Sequence, residues 1–403
     1  MRLLARFALL PLFVILATAA RGAEPSIRRL DGSRISIGAA SRLAQEALAA
    51  QGVTGAQIAV VNEGKLVWSE AFGLRTLEPR QPMQRTTATW AASITKGVFA
   101  AYVMLLAERG ELDLDLPVAR QLPKPLDQYE PYRDTASALV QDPRWAQVTP
   151  RMLLSHTAGL LNFPSLEPDK KLHIHTRPGT AYHYSGAGFN LLQFVIEEKK
   201  GRTLDVLMQE AIFTPLGMSR TGMIFRKEFE DDIADRFGAD GKFLAATRRF
   251  PARGAGSMTT TAEDLARFVS ALFAGSILKP ASCREMLAPR ISIRSLHQFP
   301  LGPEEPEGLE ARNVGLAYGL GWGLLTRTKY GPAFFKEGHG DGAQTYMICF
   351  ERHRTCMIVL TNSDNGELAF RPLLEGILGN TVTPWEWEGF TPQFIEQARK
   401  NGN

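Results

Sequence analysis

The sequence predicts an α/β fold in which one sheet is assembled from both ends of the chain. Two observations carry this. Strand-like runs occur near the start, at residues 56–61 and 66–71, and return only late, at 320–325, 345–350 and 356–360. The stretch between them reads mainly as helix and loop. A third observation sets the scale: of 403 residues, 44% are hydrophobic and 22% charged, enough apolar material for a large core.

Residues 24–38 read as an irregular lead-in, and the Ala/Leu-rich residues 39–50 as a helix. Asn62-Glu63-Gly64-Lys65 separates the first two strand runs and predicts a hairpin turn. Residues 93–109 contain no Pro and no Gly after Gly97, with almost no polar face. A helix apolar nearly all round is a buried one, and Gly110 ends it. Residues 117–145 are Pro-rich and read mostly as loop. Thr149 and Pro150 are a cap and a first helical position for residues 149–154. Further helices are predicted at 190–200, 204–212 and 262–273. Residues 299–312, rich in Pro, Gly and Glu, read as a mobile surface loop. No internal repeat or low-complexity tract interrupts the chain.

Net charge is +4 at pH 7, without a basic block or a nucleic-acid-binding motif, so no nucleic-acid partner is expected. Arg2 and Arg6 precede an apolar run over residues 7–20, followed by small residues. That is the layout of a secretory signal peptide over residues 1–23, too short to span a bilayer comfortably. An uncleaved N-terminal anchor is the alternative. The expected localisation is secreted or periplasmic, with no stable membrane span after cleavage. Cys349 and Cys356 would face each other across a hairpin turning at Arg352-His353, and an oxidising compartment permits them to pair. Cys283 would remain free. No Cys-x-x-Cys occurs, so no cysteine zinc site is expected.

Ser93-Ile94-Thr95-Lys96 is the strongest chemical signal. Residues three apart on a helix share a face, so the Lys amine lies one turn above the Ser hydroxyl. A serine hydroxyl needs a neighbour to take its proton, and a desolvated lysine can do so. The same spacing recurs at Ser276 to Lys279, but between Gly275 and Pro280. Only the first copy opens a long buried helix.

Several longer segments resemble the β-lactamase-related serine hydrolases, a group that includes class C β-lactamases, D-alanyl-D-alanine peptidases and esterases. They are TPRMLLSHTAGL at 149–160, PGTAYHYSGAGFNLL at 178–192, TPLGM at 214–218, GAGSMTTTAEDLARF at 254–268 and YGLGW at 318–322. The resemblance runs from about residue 40 to 378. It implies an antiparallel sheet flanked by helices, with a mainly helical region inserted at roughly 111–260. The serine hydrolase domain is thus expected over 39–380, with a C-terminal tail at 381–403. The group's Tyr-x-Asn element here reads Tyr184-Ser185-Gly186, giving Tyr184 as proton relay and leaving Gly186 where an amide is usual. Tyr182 is a second candidate. The third element, Lys-Thr-Gly or His-x-Gly, is matched to Gly338-His339-Gly340-Asp341-Gly342, with His339 in the Lys position. The oxyanion donors the resemblance implies are then the N–H groups of Ser93 and of Asp341 or Gly342.

His156 is expected to anchor a loop, and His173, His175 and His183 to be solvated rather than metal-bound. No Gly-x-Ser-x-Gly, His-Glu-x-x-His or phosphate loop occurs, and nothing calls for a metal or organic cofactor. Two readings follow. The first is an exported enzyme that forms an acyl-enzyme on an ester, a D-amino-acid peptide or amide, or a β-lactam, with small-molecule or peptidoglycan-like substrates. Gly186 and His339 favour an esterase or peptidase over a true β-lactamase. The second is a catalytically impaired binding protein on the same fold.

Overall fold

The computed structural model describes residues 25–299 and 307–400. The signal-peptide segment and residues 300–306 lie outside them. At the centre is a nine-stranded sheet, antiparallel at every pairing. Its spatial order is Ile291–Ser292, Leu316–Tyr318, Gly323–Leu325, Ala333–Gly340, Ala343–Phe350, Thr355–Thr361, Gly55–Asn62, Lys65–Leu77 and Arg80–Pro82. The N-terminal hairpin therefore completes a sheet begun by the last third of the chain. The seam is the register Cys356↔Val61 through Thr361↔Ala56.

Successive side chains of a strand point to opposite faces, and here both faces are covered. Ala59, Val61, Phe334, Met347 and Ile358 pack toward the helix Ile94–Glu108. Ile58, Val60, Phe335, Tyr346 and Val359 pack toward the helices Ile37–Ala50 and Gly366–Ile377. This explains why all eight residues of Gly55–Asn62 are buried and the strand reads as one apolar run rather than an alternating one. In the first hairpin the two turn residues, Glu63 and Gly64, both have positive φ (52° and 77°), the geometry that matches strand twist.

Several boundaries differ from expectation. The lead-in contains a small hairpin, Ser26–Arg28 with Arg34–Ser36, and the helix after it starts at Ile37. The run at 320–325 is not one strand. Gly319 to Trp322 form a turn between Leu316–Tyr318 and Gly323–Leu325, with Gly321 at φ 84°. Residues 309–312 of the expected loop begin the helix Leu309–Val314. The helix expected at 204–212 is α-helical only over Leu204–Met208 and widens to a π-turn over Gln209–Phe213. The segment expected as a tail is described to Lys400 and packs onto the sheet: Trp385 and Trp387 are buried in the same apolar cluster as Tyr346 and Phe370. Two indoles cannot be left in water when an apolar face lies within reach.

Cys349 and Cys356 oppose each other in the register and are joined by a disulfide, and Cys283 is free and half-buried. Among the described residues no helix is long and apolar enough to cross a membrane.

Candidate active site

Ser93 sits at the N-cap of the helix Ile94–Glu108, with no side-chain capping bond, so its hydroxyl is free for other partners. Ala92, the residue before it, has φ 43°, a strained conformation for a residue with a Cβ. The surrounding bonds hold it there: the Ala92 carbonyl accepts from the Thr95 hydroxyl at 2.5 Å, and the Ala91 carbonyl from Thr345 at 3.0 Å. The Ser93 N–H has no partner among the described residues.

Lys96 is 2% exposed, and its Nζ lies 2.9 Å from Ser93 Oγ and 2.6 Å from the Ala255 carbonyl. Burial, reinforced by the neighbouring Lys336 cation and only partly opposed by Glu337, pushes its pKa well below the ordinary lysine value. Lys96 Nζ donates to both oxygens; once deprotonated, the same nitrogen is placed to accept the Ser93 hydroxyl proton. The Ala255 carbonyl is itself fixed by the helix Gly186–Lys200, whose Gln193 and Asn190 side chains accept from the Gly254 and Ala255 N–H groups.

Tyr184 arrives from the segment before that helix. Ser185 caps the helix by accepting from the Gly188 N–H at 3.0 Å, and donates its hydroxyl to the Leu161 carbonyl. His156 Nδ1 accepts from the Ser185 N–H at 3.0 Å, and its ring lies 4.4 Å from that of Tyr184. His156 thus holds the strap that carries Tyr184. Burial, with Lys96 and Lys336 nearby, keeps the imidazole neutral. The Tyr184 ring lies between the two lysines, its centroid 4.8 Å from Lys96 Nζ and 4.9 Å from Lys336 Nζ. Burial raises its pKa against the pull of Lys336, so the phenol keeps its proton. Tyr182 packs against His156, Tyr318 and Trp387 and does not line the cleft.

The third element is displaced from the expected match. The residue beside Tyr184 in the Lys position is Lys336, not His339, so the strand reads Lys336-Glu337-Gly338. The Lys336 Nζ lies 4.9 Å from the Tyr184 ring centroid and is fully buried. Burial works against its charge, but the bonded Glu337 carboxylate, with Tyr184 nearby, outweighs this and raises its pKa, so Lys336 stays a cation. Gly338 is where close approach is needed: a Cβ there would stand 2.6 Å from the Ala91 carbonyl and 3.1 Å from the Ser93 nitrogen. The expected donor Gly342 is committed elsewhere, since its N–H bonds Asp364 Oδ1 at 2.5 Å, and Asp341 occupies the hairpin turn. His339 supplies the alternative. The loop closes at Gly340↔Ala343, and hydrogen-bonded pairs alternate along an antiparallel ladder. The N–H of His339 then faces the free edge beside Ser93. Its side chain is 66% exposed and bonds Glu367 at 2.7 Å, and that carboxylate with Asp364 and Asp341 outweighs the ring's partial desolvation and raises the imidazole pKa.

Gly186 opens the helix Gly186–Lys200, and its N–H donates to Asn162 Oδ1 at 2.8 Å. The carboxamide missing at 186 is therefore matched by Asn162 from another loop, a residue the sequence reading did not single out. Ser93, Lys96, Tyr184, Asn162, His339, Gly340 and Asp341 line one cleft of about 560 Å³, together with Trp90, Asn190, Arg249, Arg253, Glu337 and Phe299, whereas Lys336, Gly186 and Gly342 are not part of its lining. His173 and His175 lie apart, each bonded to a carboxylate, Asp169 and Glu167. The described residues contain no group of three or more side chains able to hold a metal.

The sequence matches the Beta-lactamase family over residues 40–377, most of the chain. The chain belongs to the β-lactamase family. The β-lactamase-family chain is 22% identical to penicillin-binding protein 4* of Bacillus subtilis (strain 168) over 337 residues, 75% of this chain and 66% of that one. It is 29% identical to esterase EstB of Burkholderia gladioli over 227 residues, 48% of this chain and 55% of the relative. These matches span roughly half to two thirds of the relatives' own lengths. Among solved structures, D-amino acid amidase from Ochrobactrum anthropi SV3 superposes with a TM-score of 0.64 at 23% identity, over 89% of this chain and 99% of that one. The architecture is the β-lactamase/transpeptidase-like α/β fold.

Proposed function

We propose that the protein is an exported serine hydrolase that works through an acyl-enzyme at Ser93, on esters or amides rather than β-lactams. The observation that carries this reading is the Lys96 amine, its pKa pushed down by burial and its Nζ 2.9 Å from the Ser93 hydroxyl. Ser93 Oγ bonds to the substrate carbonyl carbon while its proton passes to Lys96. The Ser93 and His339 N–H groups face the developing oxyanion. As the bond to the leaving group breaks, Tyr184 delivers a proton to it, recharged across Ser93 and Lys96. Water then takes the acyl group from Ser93, and the serine regains its hydrogen. Lys336 holds the Tyr184 oxygen in place.

Esters and amides are favoured because the Lys336 ammonium is already paired with Glu337. A substrate carboxylate of the kind β-lactams carry would meet the Glu337 carboxylate as well as the lysine. EstB and D-amino acid amidase are relatives whose names fit an ester or amide. The disulfide between Cys349 and Cys356 supports a secreted or periplasmic location.

The test is labelling by a fluorophosphonate probe. The wild type is expected to label and Ser93→Ala not to. A wild type that stays unlabelled, or a variant that labels equally, would leave the binding-protein reading. A panel of p-nitrophenyl esters, D-amino acid amides and nitrocefin then ranks the substrates, with nitrocefin expected last.

A further inference from the structure

One end of the cleft carries cationic groups that the chemistry above does not use. Trp90 is 8% exposed, and its indole N–H is tied to the Gly256 carbonyl at 2.6 Å. Gly340 lies against the ring so closely that a Cβ there would stand 2.3 Å from it. The indole is thus a fixed platform three residues before Ser93. The Arg249 guanidinium stacks on it at 3.6 Å from the ring centroid, and that of Arg236 lies at 5.1 Å. Arg249 lines the cleft, yet its side chain makes no hydrogen bond or ion pair among the described residues, and its Nε is buried without a partner. Arg236 spends one nitrogen on the Asp341 carbonyl and leaves its own Nε unmatched. The Asp341 carboxylate is on the same rim but forms no ion pair with either arginine among the described residues.

Two guanidiniums held on one indole repel each other, and a half-buried guanidinium without acceptors has lost water without replacement. Burial and Arg236 both disfavour the charge on Arg249, and the Asp341 carboxylate only partly opposes them. An anion in the cleft would relieve all of this, and a planar guanidinium fixed by stacking is suited to a carboxylate. The other buried cation near the site, Lys336, is by contrast already paired with Glu337.

We infer that Arg249, stacked on Trp90, is a specificity-determining group that binds a carboxylate carried by the substrate away from the carbonyl attacked by Ser93. The inference rests on the hydrolase reading for its consequence in turnover, but not for binding. The protein is then selective for acidic acyl esters or amides, or for those with an acidic leaving group.

The experiment has two arms. In the first, glutarate is titrated into the wild type and Arg249→Gln by calorimetry at low ionic strength. Saturable millimolar binding is expected in the wild type and at least a tenfold weakening in the variant, with Arg249→Lys between them. Absence of binding to the wild type, or equal binding to all three, overturns the inference whatever the catalytic result. In the second, kcat/KM is compared for two pairs of esters. p-Nitrophenyl glutarate monoester is set against p-nitrophenyl hexanoate, and 4-acetoxybenzoate against 4-acetoxybenzamide. One pair should favour the anion about tenfold in the wild type and lose that preference in Arg249→Gln. Unchanged ratios in both pairs count against the inference, whereas failure of Ser93 to label with a fluorophosphonate counts against the hydrolase reading alone.

Discussion

A lysine side chain in water is a cation, and Lys96 can take a proton only because its surroundings remove that option. Its folded pKa is depressed, so the neutral amine exists above that value and is lost as pH falls through it. The kcat/KM for a neutral ester should therefore rise with pH from an acid limb that belongs to Lys96. It should decline only in the alkaline range where Lys336 and Tyr184, both with raised pKa values, lose their protons. Lys96→Met is expected to lower kcat/KM by about 10²–10⁴-fold, the usual yield of a positioned general base. The sign for stability is opposite. Below the ordinary lysine pKa the unfolded chain binds a proton the folded one refuses, so the variant should be more stable than the wild type at neutral pH in urea denaturation. A variant that is less stable, or that keeps its activity, would remove Lys96 from the base role. The Ser93–Lys96 spacing was legible from the sequence because a helix fixes what lies three residues on. The partner amide was not: Asn162 meets Gly186 only through loop packing across 24 residues.

The strand Ala333–Gly340 is the element the sequence concealed. Its residues Lys336, Glu337, Gly338 and Gly340 are poor strand formers by composition, and the run has no polar–apolar alternation over its first six residues because all of them are buried. The Lys position expected from sequence, His339, therefore falls three residues beyond Lys336, next to the hairpin turn. The element brings to the site one buried cation from a side chain, Lys336, and one donor from the backbone, the His339 N–H. The two should respond differently to substitution. Lys336→Met removes the charge that holds Tyr184 and is expected to lower kcat/KM about 10²-fold or more. His339→Ala keeps the N–H and should lower it less than tenfold. The reverse order, measured with one ester on both variants, would restore His339 to the Lys position and displace Lys336.

At the scale of the whole molecule, the two chain ends meet on one sheet, and the face opposite the cleft is sealed by the C-terminal segment. Trp387 is 1% exposed and its ring packs 6.2 Å from that of Phe335, next to Lys336 on the same strand. Trp387→Ala should cost about 3–5 kcal/mol in urea denaturation, the usual toll of deleting a buried indole. A loss under about 1 kcal/mol would mean that residues 381–400 are the loose tail the composition suggested. The sequence by itself determined the elements whose information is local: the buried helix behind Ser93, the cap at Thr149, the hairpin turning at Glu63-Gly64, and the facing positions of Cys349 and Cys356. These depend on hydrogen bonds and periodicities within a few residues. Only the tertiary structure decided which lysine stands beside Tyr184, which N–H groups point at the cleft, and that unpaired arginines stack on Trp90. Those facts depend on pairings between segments from tens to hundreds of residues apart, where a shift of register moves a side chain from one face to the other and spacing along the chain carries no record of it.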